Sequence, residues 1–128
     1  MNWLDGCLVI SPVPYCLCTD EKRFKKVMKT LRVPKSQRPS FLGRETSDAA
    51  THVLETSDGD RCAVVTIRKQ GDKTAEQVYA LLVHEAVHIW QFVREGLGED
   101  SPSSEFEAYS IQSISQSLME EYREQVKK

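Results

Sequence analysis

The sequence lacks the features that mark several specialised classes of protein. No stretch of its 128 residues approaches the roughly 18 uninterrupted apolar residues of a transmembrane helix. The net charge of −2 at pH 7 excludes a chain that is strongly charged throughout. Asp5 stands where a signal peptide carries positive charge, and prolines interrupt the apolar run that follows. We therefore expect a cytoplasmic protein without a membrane partner, not exported by a standard signal peptide.

Cysteine is too sparse to indicate a disulfide-stabilised secreted fold, in which it commonly exceeds about 8% of a short chain. The chain has four cysteines, and the closest pair, Cys16 and Cys18, is separated by a single residue. This spacing does not match the usual zinc-knuckle pattern, and no second pair follows it. We interpret the cysteines as small buried side chains in a reducing compartment.

The remaining composition is typical of a globular protein, and local patterns predict an α+β fold. Hydrophobic residues make up 40% of the chain and charged residues 28%. Thr74 and Gln77 form the pattern of a capping box at the start of one helix. We expect a single domain over residues 1–128, with an irregular segment or short strand over 1–18, a helix over 21–32, an antiparallel β-hairpin over 51–69, a helix over 74–95 and a C-terminal helix over 104–125.

Charge is distributed unevenly along the chain. Nine basic residues and no acidic residue lie between Lys22 and Arg44, whereas eight acidic residues and one basic residue lie between Glu95 and Glu124. The two segments either attract each other in the fold, or the first forms a basic face for an anionic partner such as nucleic acid. Few aromatic residues interrupt the basic segment, so stacking of single-stranded nucleic acid is not favoured.

The strongest motif is HExxH, which lies in the helix predicted over 74–95. Histidines four positions apart lie on the same face of a helix, so His84 and His88 can offer imidazole nitrogens to one zinc ion. Glu85 is placed to take a proton from a water molecule on that ion. The surrounding helix is apolar on most of its faces, which indicates a buried position.

A catalytic zinc ion usually has three protein ligands, so a third is needed. His52 lies in the predicted hairpin, and its spacing does not connect it to the motif. The last helix offers Glu105 and Glu107, of which only one can face the metal because they lie about 200° apart. The apolar stripe of that helix is centred nearer Glu107, whereas Glu105 shares a polar strip with Tyr109.

The HExxH motif and the segment 104–110 together resemble the gluzincin branch of the zincin metallopeptidases. Several of these families carry Glu-x-x-Ala or Glu-x-x-Ser on a following helix, with the first glutamate binding zinc. The resemblance implies Glu105 as ligand, with Glu107 as second choice, and Tyr109 stands where an aspartate often follows. Residues 77–116 are also similar to small zincin-like proteins encoded by tailed bacteriophages and prophages, which implies the host cytoplasm as location.

The resemblance implies a minimal zincin-like core and zinc-dependent hydrolysis of peptide bonds. His84, His88 and Glu105 would hold the zinc ion, Glu85 would act as general base, and Tyr109 is a candidate hydrogen-bond donor to the oxyanion. The strand over 61–69, as a sheet edge, would hold an extended peptide substrate. The alternatives are a non-catalytic zincin-fold binding protein or phage structural protein with a zinc site, and a nucleic-acid-associated protein that uses residues 22–44.

Overall fold

A three-stranded mixed sheet forms the centre of the fold, with helices on both of its faces. The computed structural model describes residues 13–44, 47–55, 59–69, 71–98 and 101–127. Its strands are β1 (Tyr15–Cys18), β2 (Ala49–Glu55) and β3 (Arg61–Ile67), and its helices are α1 (Glu21–Thr30), α2 (Ala75–Leu97) and α3 (Ser104–Val126). A short 3₁₀ turn spans Lys35–Gln37. The expected α+β fold class is confirmed. Of the described helices, none combines the length and apolar character needed to cross a membrane.

The strand order is β1-β3-β2, which corrects one prediction about the sheet. β2 and β3 pair antiparallel as the hairpin pattern predicts, although Ser57 and Asp58 of its turn lie outside the described residues. β1 pairs parallel with the other side of β3, with Tyr15 opposite Ala63. The expectation that β3 is a sheet edge is therefore wrong. β3 is central, and the edge that borders α2 belongs to β2.

Alternate residues of β3 contribute to two hydrophobic clusters, one on each face of the sheet. Ala63, Val65 and Ile67 pack in a cluster with residues of α2 and α3. Cys62 and Val64 pack in a second cluster with residues of α1. This alternation follows from the two-residue period of a strand. Because both faces are covered, α1 and α2 lie on opposite sides of the sheet.

The helices begin where their capping residues predict and end close to the expected positions. The Asp20 side chain accepts a hydrogen bond from Arg23 N over 2.8 Å and caps α1, which ends two residues earlier than predicted. The capping box of Thr74 and Gln77 is present at the start of α2. Gly98 ends α2 in the left-handed conformation, at φ 70°, which glycine adopts at no steric cost.

The helix α3 runs antiparallel to α2, and hydrogen bonds near its end connect it to β1. Near its start, the Glu107 carboxylate accepts a hydrogen bond from Trp90 Nε1 over 2.8 Å. Near its end, Gln125 Nε2 donates to the Leu17 carbonyl over 2.7 Å, and Gln125 Oε1 accepts from Thr19 N over 3.1 Å. These contacts fix the rotation of α3 about its own axis, and therefore decide which of its side chains face α2.

Candidate metal centre

His84 and His88 lie on the solvent-facing side of α2 and point their ring nitrogens at each other. The two Nε2 atoms are 3.2 Å apart, and the ring planes cross at 76° with their centroids 4.9 Å apart. Two nitrogen ligands bound about 2.05 Å from one tetrahedral ion are separated by about 3.3 Å. Both side chains therefore have the spacing that one shared metal ion requires. This geometry follows from the helix itself, because residues four apart lie one above the other.

Glu85 is the buried member of the group, with 3% of the residue exposed. One of its carboxylate oxygens lies 3.5 Å from Thr51 Oγ1 on the edge strand β2. Burial raises the pKa of this carboxyl, and the neighbouring histidines and the Thr51 hydroxyl lower it again in part. A raised pKa makes the ionised carboxylate a better proton acceptor than an exposed glutamate.

The three side chains together form a potential metal site. One ligand atom of each of His84, Glu85 and His88 lies within 4.8 Å of the others. In the part of the chain that the structure describes, no other cluster of histidine, cysteine and carboxylate side chains meets this condition. Imidazole nitrogens and carboxylate oxygens are ligands of zinc and of other transition metals, so this group could bind such an ion without identifying which one.

Two cavities flank the histidines, one on each side along α2. A cavity of about 440 Å³ lies towards the end of the helix, and one of about 470 Å³ lies towards its start. Both are bounded by β2 and α2, and no described residue of α3 lines either. The first is lined by Ala49, Ala50, Thr51, Val53, His84, Glu85, His88, Gln91, Phe92 and Glu95.

The candidate ligands on α3 do not belong to the group that the two histidines form with Glu85. Glu105 and Tyr109 are exposed, and neither Glu105 nor Glu107 belongs to the metal group. Glu107 instead bonds the indole of Trp90, which lies about 120° around α2 from His84. Phe106 packs edge-on against the same indole, with ring centroids 5.3 Å apart. The first turn of α3 therefore contacts a different face of α2 from the one that carries the histidines.

His52 lies on the opposite face of the sheet from the metal group. Its Nε2 donates a hydrogen bond to the Phe41 carbonyl over 2.9 Å, and its ring is 5.2 Å from that of Phe24. Burial lowers the pKa of His52, and the bond to Phe41 raises it again in part. His52 is thus a residue of the core beneath α1, as its separate position in the sequence indicated.

The described cysteines are buried free thiols. Cys16, Cys18 and Cys62 are each at most 2% exposed and belong to the hydrophobic cluster under α1. Cys7 lies outside the described residues. The interpretation of these three as small core side chains is confirmed.

The sequence did not identify the residues of β2 that line the site. Ala49, Thr51 and Val53 alternate along the strand, so all three side chains point towards α2. The alternation itself was visible in the sequence. Which face meets the histidines depended on the strand order, which the hairpin pattern alone does not determine.

Comparison with known proteins adds no family assignment. No family model, no curated protein and no solved structure matches this chain. The resemblance to gluzincins and to phage-encoded proteins receives no support from these comparisons. What the structure shows is a His84-Glu85-His88 group that could bind a metal ion, carried on one helix and facing the edge strand of an α+β fold.

Proposed function

We propose that this protein is a zinc-dependent metallopeptidase. The observation that carries the proposal is the geometry of the HExxH helix. Two Nε2 atoms 3.2 Å apart stand beside a buried carboxylate, and this group faces the edge strand of a sheet. In peptide hydrolysis the two histidines would bind the metal, the buried carboxylate would transfer the proton, and the edge strand would align an extended substrate.

His84 and His88 would hold the zinc ion through their Nε2 atoms. When bound, zinc lowers the pKa of a coordinated water to about 7 and polarises the substrate carbonyl. The third ligand that the resemblance to gluzincins implies, Glu105, is exposed, and none of the described residues makes a hydrogen bond or ion pair with it. Its part in zinc binding is a prediction, which the variant Glu105→Ala tests directly through zinc affinity.

Glu85 would act as the general base. Its carboxylate accepts a proton from the attacking water and then donates it to the nitrogen of the leaving amine. The Thr51 hydroxyl orients this carboxylate from β2. Only 3% of the residue is exposed to bulk solvent, yet Glu85 lines both cavities beside the histidines, which supports a role as a tuned base rather than a surface acid.

The edge strand β2 would hold the substrate. Among the described residues, no strand pairs with its outer side, and main-chain groups on such an edge can pair with an added strand. An extended peptide beside β2 would pass between Val53 and the histidines, through the two cavities along α2. The exposed side chain of Val53 offers an apolar contact to such a peptide.

The experiment that tests the proposal combines zinc analysis with peptide hydrolysis. Purified protein is assayed for bound zinc, and for cleavage of fluorescent casein and of a degenerate peptide mixture read by mass spectrometry. We expect Glu85→Gln to retain zinc and lose at least about 100-fold in turnover, because general acid–base catalysis contributes that much. His84→Ala is expected to lose both zinc and activity.

The matched control is Glu76→Gln, which removes an exposed carboxylate from the first turn of the same helix. It is expected to retain zinc and full turnover. Undiminished turnover in Glu85→Gln would refute the mechanism. Zinc binding without hydrolysis of either substrate by the wild-type protein would favour the non-catalytic zinc-binding alternative.

A further inference from the structure

Five lysines of the basic segment form no ion pair with any residue that the structure describes. Lys22, Lys25, Lys26, Lys29 and Lys35 are all exposed. Among the described residues, no carboxylate lies within ion-pair distance of any of them. Glu121 and Glu124 of α3 line a cavity together with Arg23 and Lys26 but form no ion pair with either. The two charged segments therefore approach each other at Lys26, whereas Lys25, Lys29 and Lys35 border a different cavity, which no described residue of α3 lines.

These lysines border a groove between α1 and the stretch that follows it. The groove has a volume of about 730 Å³. One acidic residue, Glu21, and five basic residues border it, namely Lys25, Lys26, Lys29, Lys35 and Arg38, so its margin is predominantly positive. The half-buried Pro39 and Phe41 contribute to its floor. The aliphatic stems of the lysines add further apolar surface below their charged ends. A partner that fits this groove needs negative charge at its margins and apolar groups at its centre.

The apolar floor favours a protein segment over nucleic acid. Phosphates would be attracted to the rim, but a duplex backbone has no apolar groups to place on Pro39 and Phe41. Base stacking needs an open aromatic face. Of the two phenylalanines that line the groove, Phe24 is buried, and Phe41 is half-buried and packs edge-on against it with centroids 5.8 Å apart. A single, partly covered ring would therefore have to stack the bases. An acidic segment with apolar anchor residues satisfies both rim and floor.

We propose that the groove between α1 and residues 35–41 docks an acidic segment of a protein partner, one that places apolar anchor side chains on Pro39 and Phe41. The groove lies on the face of the sheet opposite to α2. Docking there leaves the His84-Glu85-His88 group open, and the proposal is independent of the metal site.

Fluorescence anisotropy with the full-length protein tests this surface. The first probe is a labelled 16-residue peptide of glutamates with leucine and phenylalanine at helical spacing. The second has the same charge but alanine at the apolar positions. The third and fourth are single-stranded and duplex DNA of matched charge. We expect the first peptide to bind more tightly than all three others, at both 50 and 150 mM salt.

Charge reversal on the rim supplies the matched variants. The double variant K25E/K29E is expected to lower affinity for the first peptide by about tenfold. The control K69E/K127E reverses two exposed lysines outside the groove and is expected to change affinity less than twofold. Chemical-shift changes on binding should concentrate at Lys29 and Phe41 rather than along α2.

Four results would overturn the proposal. One is equal binding of the two acidic peptides, which would show charge attraction without use of the floor. Another is tighter binding of either DNA than of the first peptide, which would assign the surface to nucleic acid. The third is an absence of binding to the first peptide. The fourth is a loss of affinity for this peptide in K69E/K127E that equals the loss in K25E/K29E.

Discussion

The hydrogen bond between Trp90 and Glu107 predicts that the two neighbouring glutamates of α3 have different roles. Trp90 is 1% exposed, and its Nε1 donates to the Glu107 carboxylate over 2.8 Å. Removing Glu107 leaves a buried indole N–H without its acceptor. A hydrogen bond to a charged group contributes about 1.5–3 kcal/mol, so we expect Glu107→Ala to lower the free energy of unfolding by about 2 kcal/mol.

Glu105→Ala is the matched control for this measurement. Both glutamates lie in the first turn of α3, so both substitutions remove the same favourable interaction with the helix dipole. Both also replace glutamate by alanine, with the same gain in helix propensity. Glu105 is exposed, and its removal should change the free energy of unfolding by no more than about 0.5 kcal/mol. The difference between the variants isolates the bond to Trp90.

The assay is urea denaturation of the metal-free protein, followed by Trp90 fluorescence in a Trp3→Phe background. With a slope of about 1.5 kcal/mol per M, a loss of 2 kcal/mol lowers the midpoint by about 1.3 M. Zinc affinity is measured on the same two variants, and we expect only Glu105→Ala to weaken it. Equal destabilisation by both substitutions would refute the reasoning, as would loss of zinc affinity in Glu107→Ala with unchanged stability.

Two further predictions concern residues that hold the sheet to its helices. Burial lowers the pKa of His52, so the unfolded chain takes up a proton first as pH falls. The contribution of His52 to the free energy of unfolding is therefore fully present above about pH 6.5. Below that pH it decreases, by at most about 1.4 kcal/mol per pH unit. Urea midpoints at pH 7.5 and 5.5 should therefore differ less in His52→Gln, and an unchanged difference would contradict this assignment. Gln125→Ala should lower the free energy of unfolding by about 1–3 kcal/mol, because the Leu17 carbonyl and the Thr19 amide lose their hydrogen-bond partner. A thermal midpoint within 1 °C of the wild type would show that the hydrogen bonds between α3 and β1 are dispensable.

Local patterns were sufficient for the elements that depend on nearby residues. The capping box at Thr74 depends on a residue three positions away, and the hairpin on strands next to each other in the chain. The proximity of His84 and His88 belongs to the same class, since the helix alone places residues four apart together. For this reason the two histidines and their adjacent glutamate could be predicted before any tertiary contact was known.

The roles of Glu105 and Glu107 could not be decided in this way. The sequence showed one polar and one apolar strip on α3, and the resemblance to gluzincins favoured Glu105 as ligand. The rotation of α3 is set by contacts far apart in the chain, at Trp90 near its start and at Leu17 near its end. Those contacts turn Glu107 towards α2 and leave Glu105 exposed.

The sequence by itself determined a helix that presents two histidines and a glutamate in the geometry of a metal site, because a single helix contains all the distances involved. Only the tertiary structure decided what surrounds that site. The parallel pairing of β1 with β3 joins residues more than 40 positions apart, and it makes β2 rather than β3 the edge beside the histidines. No local signal encodes such pairing, since it depends on which apolar faces the whole chain can bury together.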